Sequence, residues 1–379
     1  MLIAGEASGD RIAARAIRAA KVLTHERDEQ LLFSGICGDE SMREGMECLY
    51  HAREMSVVGF VEVARRFRFF RNVLRDMEAR LKDPKTRPES LVLIDYPGFN
   101  IRLAKIAKRL GIRVVYYVSP QVWAWHKERV HELKKVVDEM LVIFPFEEKI
   151  YHDAGLKQAH FIGHPLVEMI DEEKQSFLSR NAFAKKHALD PSKEWLLIFS
   201  GSRNEEVRRH LAILSDAALE LSKTHNFLPI LVEAATISEQ TYAEYLGSRT
   251  VKRFRAPATS HELMYHSTLG LLKSGTTTLE AALLGLPGII CYRTHPLTFA
   301  IGKRLVKLAF IGLANIVLGR KLYPELLQND CTVSRIVTSA EEVLTTSAVF
   351  REGLLNVDRT LRAGSTPPSV LAAKAILQL

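Results

Sequence analysis

Short apolar runs alternate along the chain with longer segments whose apolar residues recur at helical spacing. Helical periodicity fills most of the intervals, as in residues 12–23 and 207–225. This alternation of strands and helices predicts parallel sheets covered by helices. The apolar runs that predict strands are Leu2–Ala4, Leu31–Gly35, Leu91–Ile94, Val114–Val118, Met140–Phe144, Ala159–Ile162, Trp195–Phe199, Pro229–Glu233, Leu269–Leu272 and Gly288–Tyr292.

The alternating pattern breaks after Ile162. The stretch GHPLVEMIDEEKQSFLSRN is polar and acidic, and a new apolar run begins at Trp195. We therefore place a domain boundary near residues 164–180 and expect two Rossmann-like α/β domains, 1–165 and 180–345, that face a cleft. Ligands of such sheets bind outside the carboxyl ends of the strands, so each turn that follows a strand is a candidate site.

The composition is typical of a soluble globular protein, and the length suggests two domains. The chain has 379 residues, of which 47% are hydrophobic and 25% charged. Its four cysteines form no CxxC pair, which favours a reducing cytoplasm over a disulfide scaffold or a structural zinc site. No signal peptide is evident, and the apolar stretch 308–318 is too short to span a bilayer.

The formal charge of the chain is +8, and one basic segment contributes strongly to it. The segment Arg65–Arg75, RRFRFFRNVLR, contains arginines and phenylalanines and no acid, and the nearly uncharged SVVGFVEV precedes it. One interpretation is a helix with a solvated basic face and phenylalanines in the core. The other is an anionic membrane surface as partner. Nucleic acid is disfavoured because the chain contains no recognised nucleic-acid-binding module.

The stretch KSGTTTLEAALLGLP follows the predicted strand Leu269–Leu272. It presents small residues and backbone N–H groups at the start of a helix, where phosphate binds readily, and Glu280 could accept hydrogen bonds from hydroxyls such as those of a ribose. The alternative is a capping box between Thr277 and Glu280.

A second turn, FSGSRNEEV, follows strand Trp195–Phe199. Gly201 and Ser202 form a tight turn, and Arg203 could place two donors on a phosphate. The alternative is again a capping box, Ser202 with Glu205. Two such turns in one domain favour a diphosphate, although neither is a Walker loop.

In the first half, Asp95 ends a wholly apolar strand in LVLIDYPGFN. A carboxylate in this position suits a general base. Alternatively it accepts backbone N–H groups of its own turn. The turn AGEASGD, Ala4–Asp10, follows the first strand but does not match GxGxxG. Metal catalysis has no support, because no Asp-x-Asp pair exists and His261 and His266 are not spaced as in zinc proteases.

These motifs together resemble the lipid A disaccharide synthase family, inverting glycosyltransferases of GT-B architecture. They occur in family order over nearly the whole chain. Those that carry the resemblance are AGEASGD, IDYPGFN, YVSPQVWAW, FPFE, FIGHPL, GSRNEEV, SGTTTLEAAL, YRTHPLTF and the run from KRLVK to ANIVLGRKLYPELLQ. The chain departs at Ser200, where family members often have proline.

The resemblance implies the reaction. A UDP-linked 2,3-diacylated glucosamine would be transferred to 2,3-diacylglucosamine 1-phosphate, known as lipid X. The products would be a β-1′,6-linked disaccharide phosphate and UDP, formed with inversion and without metal or cofactor.

The resemblance also implies residue roles. Asp95 is the candidate base, and Glu6, Ser8 and Asp10 would orient acceptor or donor sugar. Asn315 matches a family position near the donor site, and Glu280 would hold the ribose. The diphosphate would be held by Arg203 with Gly201 and Ser202, and by the turn of Ser274, Gly275, Thr276 and Thr277.

Because both substrates carry acyl chains, the resemblance places the enzyme in the cytoplasm, peripheral to the inner membrane of a Gram-negative bacterium. The first domain would then face acceptor and membrane, the second would bind the UDP-sugar, and residues 346–379 would pack back on the first. A homodimer is compatible with the family. The implied membrane patch consists of Val57, Val58, Phe60, Arg65, Arg66, Arg68, Phe69 and Phe70.

Two alternatives remain open from the residues. A UDP-N-acetylglucosamine 2-epimerase shares the two-domain architecture but acts on a soluble sugar nucleotide and needs no apolar basic patch. A non-catalytic, membrane-associated lipid or nucleotide binder would not depend on Asp95.

Overall fold

The chain divides into two compact α/β units. The computed structural model describes residues 1–25, 31–55, 66–124, 128–256, 259–296, 299 and 308–379. Unit 1 comprises Met1–Pro165 and Arg362–Leu379, and unit 2 comprises Leu166–Leu361.

Unit 1 is built on a seven-stranded parallel sheet with strand order β3-β2-β1-β4-β5-β6-β7. Its central strands are almost wholly buried, as expected when helices cover both faces of a parallel sheet. The strands are β1 (Leu2–Ala4), β2 (Ser34–Cys37), β3 (Glu47–His51), β4 (Ser90–Ile94), β5 (Arg113–Tyr117), β6 (Glu139–Val142) and β7 (Ala159–Phe161).

The described helices of unit 1 follow from apolar residues at helical spacing, and proline begins three of them at a position that needs no N–H donor. They are α1 (Ala7–His25), α2 (Asp39–Arg43), α3 (Ala52–Met55), α4 (Phe67–Lys82), α5 (Pro97–Arg109), α6 (Arg129–Val136), α7 (Pro145–Asp153) and, from the far end of the chain, α17 (Pro368–Leu377).

The C-terminal helix α17 packs on α1. Small side chains make this close approach possible, since Ala19, Ala20 and Ala373 form a buried cluster. The Arg113 guanidinium donates to the carbonyl of Ala375 over 2.9 Å, which ties α17 to the start of β5.

Unit 2 repeats the architecture with a six-stranded parallel sheet in the order β10-β9-β8-β11-β12-β13. Its strands are β8 (Glu194–Phe199), β9 (Phe227–Glu233), β10 (Lys252–Arg255), β11 (Leu269–Lys273), β12 (Gly288–Tyr292) and β13 (Glu325–Leu327). The described helices are α8 (Pro165–Lys174), α9 (Arg180–Lys186), α10 (Asn204–Thr224), α11 (Glu239–Leu246), α12 (Ser260–His266), α13 (Thr277–Leu283), α14 (Leu313–Leu318), α15 (Val333–Thr345) and α16 (Ser347–Leu361).

The strand pattern differs from the sequence prediction mainly at sheet edges. Strands β3, β10 and β13 were not predicted, because β3 and β10 carry charged residues on partly solvated edges and β13 has only three residues. The second strand begins at Ser34 rather than Leu31. Helix α16 belongs to unit 2, whereas the sequence grouped it with the segment that returns to unit 1.

The buried carboxylate of Asp10 organises the first crossover of unit 1. It is 3% exposed and accepts hydrogen bonds from the backbone N–H groups of Gly38 (2.8 Å), Glu40 (2.9 Å) and Ser41 (3.2 Å). A carboxylate at the start of α2 satisfies helix N–H donors that have no partner within the helix. Asp10 therefore joins α1 to α2 and does not present its carboxylate at the surface, contrary to the expectation that it orients a substrate.

Replacing Asp10 should destabilise unit 1. We expect Asp10→Ala to lower the free energy of unfolding by about 2 kcal/mol or more, because three N–H groups lose a charged acceptor. Asp39→Ala is the matched control, because Asp39 is a carboxylate of α2, the helix that Asp10 holds, and its ion pairs with His51 and Arg53 lie at the surface, where such pairs contribute about 0–1 kcal/mol. Urea unfolding of both variants measures the difference, and equal losses would contradict the structural role of Asp10.

Candidate active site

The predicted functional turns lie at the switch point of each sheet. In unit 1, β1 and β4 are neighbours, and Ala4 pairs with Ile94. In unit 2, β8 and β11 are neighbours, and Leu272 pairs with Phe199. At these places the chain leaves adjacent parallel strands in opposite directions, which opens a crevice for ligands. The register thus brings the turn after Ala4 beside Asp95, and the turn after Phe199 beside the turn after Lys273.

The turn that contains Asp95 has a strained backbone. Asp95 and Tyr96 both have positive φ, 45° and 48°. Hydrogen bonds hold this conformation: the Asp95 carbonyl accepts from the Tyr116 hydroxyl and from Asn100 Nδ2, each over 2.7 Å. The Asp95 N–H donates to the carbonyl of Tyr117 over 3.1 Å. Strain of this kind persists only where the surroundings enforce it, and it is frequent at functional sites.

Tyr96 also packs directly against the first turn. A Cβ atom placed on Gly5 would lie 2.6 Å from the Tyr96 ring, so glycine is required there. The Tyr96 hydroxyl donates to the carbonyl of Met55 over 2.8 Å. The aromatic ring therefore fixes the turns after β1 and β4 relative to each other and to the end of α3.

The Asp95 side chain is half-buried, and its pKa is raised to about 6. Burial is the main cause, and the nearby carboxylate of Glu6 adds a repulsion, while a hydrogen bond from the Tyr96 backbone opposes both. A carboxylate with this pKa can accept a proton near neutral pH. Glu6 and Ser8 are exposed, and their contact with a sugar stays a prediction.

In unit 2, the carboxylate of Glu206 joins the two turns. One oxygen accepts from the Ser202 backbone N–H over 3.0 Å, and the other accepts from Lys273 Nζ over 2.8 Å. Gly201 has a φ of 114°, and a Cβ atom there would lie 2.6 Å from the Glu206 side chain. A glycine and an internal carboxylate therefore build this turn.

The capping box between Ser202 and Glu205 is not formed. Helix α10 begins at Asn204 with Arg203 as its N-cap, and Glu205 pairs with Arg208 and Arg209 instead. Ser202 and Arg203 are exposed, and Arg203 Nη1 lies 3.7 Å from Glu206 Oε1. The Arg203 side chain is 74% exposed and is therefore accessible to an anion.

A hydrogen bond from the side chain of its first residue anchors the turn Ser274–Thr277. Ser274 Oγ donates to the carbonyl of Ile311 over 3.1 Å, and Gly275 and Thr276 are exposed. Helix α13 begins at Thr277 with Thr276 as its N-cap and has no side-chain cap, so the capping box of Thr277 with Glu280 is also not formed. Gly285, with a φ of 75°, follows the end of α13 as the sequence indicates.

Glu280 pairs instead with His261, a residue whose spacing from His266 excluded a zinc-protease motif and which the sequence did not otherwise predict as part of a site. His261 Nδ1 lies 2.5 Å from Glu173 Oε2, and its Nε2 lies 3.9 Å from Glu280 Oε1. Burial disfavours the charged ring, but hydrogen bonds and attraction from Glu173 and Glu280 prevail and raise the pKa of His261 to about 9. The protonated imidazole therefore orients the Glu280 carboxylate. Only the tertiary packing of α8, α12 and α13 reveals this pair.

Asn315 is fully buried and has a structural role in the fold. Its Oδ1 accepts from the N–H groups of Leu322 (2.8 Å) and Tyr323 (2.9 Å), and its Nδ2 donates to the Tyr323 carbonyl and to Glu325. Asn315 thus shapes the connection between α14 and β13, and its fully buried side chain is occupied by these contacts, contrary to the expectation that it contacts the donor.

The basic segment is only partly described. Val57, Val58, Phe60 and Arg65 lie outside the described residues. Phe69 and Phe70 pack against the core of unit 1, which fits the core interpretation of those two rings. Arg68 and Phe67 are exposed, with 54% of Phe67 accessible, and Arg66 lies over the Phe69 ring at 4.8 Å.

Within the described ranges, no three His, Cys, Asp or Glu side chains come together as a metal site. None of the helices described here combines the length and the apolar character needed to cross a membrane.

Comparison with known proteins identifies the family. A family model described as lipid-A-disaccharide synthetase matches residues 1–361. A lipid-A-disaccharide synthase from Trichlorobacter lovleyi is 39% identical over 373 residues, which covers 96% of this chain and 93% of the relative.

Solved structures share the fold at low sequence identity. A glycosyltransferase from Rickettsia africae has a TM-score of 0.61 at 11% identity and covers 100% of this chain and 97% of its own. A UDP-GlcNAc 2-epimerase from Methanocaldococcus jannaschii in complex with UDP-GlcNAc and UDP has a TM-score of 0.60 at 12% identity and covers 97% of each chain.

The predicted GT-B fold of two doubly wound units is confirmed, and so is the predicted family. The epimerase likeness extends to the fold alone, because its identity is only 12%. The chain belongs to the lipid-A-disaccharide synthetase family and is a glycosyltransferase.

Proposed function

We propose that the chain transfers 2,3-diacylglucosamine from its UDP-linked form to 2,3-diacylglucosamine 1-phosphate. The 6-hydroxyl of the acceptor attacks C1 of the donor sugar, the bond from C1 to the diphosphate oxygen breaks, and UDP departs. One in-line displacement inverts the α-linked donor to a β-1′,6-linked disaccharide phosphate. The family membership and the two switch-point sites support this reaction.

Unit 2 is proposed to bind UDP. Arg203 and the backbone of Gly201, Ser202 and Ser274–Thr277 would hold the diphosphate and stabilise the charge that develops on it as the sugar leaves. Glu280, oriented by protonated His261, would accept hydrogen bonds from the ribose hydroxyls. A fold neighbour in complex with UDP supports a UDP site on this architecture.

Unit 1 is proposed to supply the base. The observation that carries this assignment is the half-buried Asp95 at the switch point of the sheet, in a strained turn and with a pKa of about 6. Its carboxylate would remove the proton from the attacking hydroxyl, which makes the oxygen a better nucleophile. Glu6 and Ser8 would contact the sugar, and Glu6 also tunes the pKa of Asp95.

The start of α4 is proposed to bind the membrane surface. Arg66, Phe67 and Arg68 combine two cations with an exposed aromatic ring, and such a pair of signals supports reversible binding to an anionic surface. Both proposed substrates are lipids and reside in a membrane, so a surface of this kind would give access to them.

Substitutions should separate catalysis from nucleotide binding. We expect Asp95→Asn to lower kcat by about 10²–10⁴-fold, because the base is lost, while the Kd for UDP stays within about twofold. We expect Arg203→Gln and Glu280→Gln each to raise the Kd for UDP about tenfold, because a charge-assisted hydrogen bond is lost. Disaccharide formation and UDP titration calorimetry measure the two effects. Normal turnover by Asp95→Asn would refute the assignment of the base.

The pH profile should report the ionisation of Asp95. The base must be deprotonated, so kcat/KM is expected to fall about tenfold per pH unit as the pH drops below about 6. Glu6→Gln removes a like charge and should move this acidic limb to lower pH, but only partly, because burial is the larger cause of the raised pKa. Glu239→Gln, an exposed residue of unit 2, is the control and should leave the limb in place.

Membrane association should depend on the start of α4. We expect Arg66→Glu with Arg68→Glu to weaken binding to anionic vesicles at least about tenfold, because each cation contributes about 1 kcal/mol. The matched control is Arg102→Glu with Arg109→Glu, which changes the net charge equally on exposed positions of α5. Vesicle sedimentation measures both. If the two double variants bind alike, net charge and not this surface is responsible.

A further inference from the structure

Unit 2 contains an arginine-lined pocket whose residues have no assigned role in the reaction proposed above. It has a volume of about 310 Å³, and its lining includes Arg208, Arg209, Arg293 and Gln328. This volume lies at the lower end of the range for small-ligand sites. None of its lining residues belongs to the set proposed for UDP, so the pocket lies beside that set and not within it.

The charge in the pocket is positive and incompletely neutralised. Glu205 is shared by two of the arginines, with Oε2 lying 2.6 Å from Arg208 Nη2 and 3.2 Å from Arg209 Nη2. Glu205 is 66% exposed, so these are surface pairs that water screens. The neighbouring Asp330 pairs with Arg335. One carboxylate among three guanidinium groups leaves a net attraction for anions.

The backbone that carries Arg293 is fixed in place. Its N–H donates to Nε2 of the buried His210 over 2.8 Å, and His210 Nδ1 bonds to the carbonyl of Glu206 over 2.7 Å. The next residue is clamped as well: the Thr294 N–H donates to Gln328 Oε1 over 2.7 Å, and Gln328 Nε2 donates back to the Thr294 carbonyl over 3.1 Å. A rigid backbone reduces the entropy lost when the Arg293 side chain binds a ligand.

The same contacts connect the pocket to the nucleotide turns. His210 accepts from Arg293 and bonds to the backbone of Glu206, and the side chain of Glu206 holds Ser202 and Lys273. The pocket and the proposed diphosphate site therefore share one hydrogen-bonded support in α10. This arrangement suits two anionic groups bound near each other in the same unit.

We propose that this pocket binds the phosphate group of a lipid. Arginine forks match phosphate oxygens in geometry and charge. An acyl chain fits this pocket poorly, because it would cover three guanidinium groups without giving them hydrogen-bond acceptors. Two sources share this chemistry: the 1-phosphate of the acceptor, in which case the inference rests on the proposed function, and the phosphate of a membrane phospholipid headgroup.

The test compares Arg293→Gln with Arg351→Gln, a control that removes an exposed arginine from α16 of the same unit. The first arm measures disaccharide formation in neutral detergent micelles without phospholipid. If the acceptor phosphate is the ligand, Arg293→Gln raises the KM for the acceptor about tenfold with a much smaller change in kcat. With the dephosphorylated acceptor, Arg293→Gln and the unmodified protein then behave alike.

The second arm measures binding to vesicles of phosphatidylglycerol or phosphatidylcholine without substrates. If a headgroup phosphate is the ligand, Arg293→Gln weakens binding to phosphatidylglycerol about tenfold, while the micelle kinetics stay unchanged. Arg208→Gln serves as a second variant if Arg293→Gln does not fold, which thermal unfolding reports.

The outcomes distinguish the two proposals. If the unmodified protein forms no disaccharide, the proposed function fails, and the vesicle arm alone decides whether the pocket binds a lipid phosphate. If disaccharide forms and Arg293→Gln matches Arg351→Gln in both arms, the pocket proposal is overturned.

Discussion

Parallel pairing of β1 with β4 and of β8 with β11 is the constraint on which the rest of the molecule depends. Each pair brings together two turns that are far apart in sequence, Gly5 with Asp95 and Ser200 with Lys273. Because the chain leaves the two strands toward opposite sides, backbone donors and side chains at their carboxyl ends face open space. The same sheet geometry therefore supplies a site in each unit without any change of fold.

The turns at these sites are held by hydrogen bonds from residues outside the set proposed to bind substrates. In unit 1, the left-handed conformation of Asp95 and Tyr96 depends on Tyr116 and Asn100. Val118, after β5, also has positive φ, 61°, which is costly for a β-branched residue. Such strain costs on the order of 1–3 kcal/mol per residue and must be offset by the surrounding core. The strained backbone that positions the candidate base therefore lowers the stability of unit 1 locally.

Three carboxylates, those of Asp10, Glu206 and Asp95, have different roles because their surroundings differ. Asp10 is buried among backbone donors and joins two helices, and Glu206 joins the two turns of the nucleotide site. Asp95 is half-buried near the carboxylate of Glu6, and burial and this repulsion raise its pKa. A carboxylate that already accepts several hydrogen bonds is satisfied, whereas one with a raised pKa is ready to take a proton.

The sequence by itself determined the two α/β units, the positions of most central strands and the turns that matter. These features are local: buried strands need continuous apolar residues, and sharp turns need glycine, as at Gly201. The sequence also pointed to Asp95, Arg203 and Glu280, but it could not choose between their functional and capping interpretations. Only the tertiary structure assigned Asp10 and Asn315 to the fold and brought His261 to Glu280 and Arg293 to His210. Those contacts join residues that are distant along the chain, and they arise only when the sheets and helices pack.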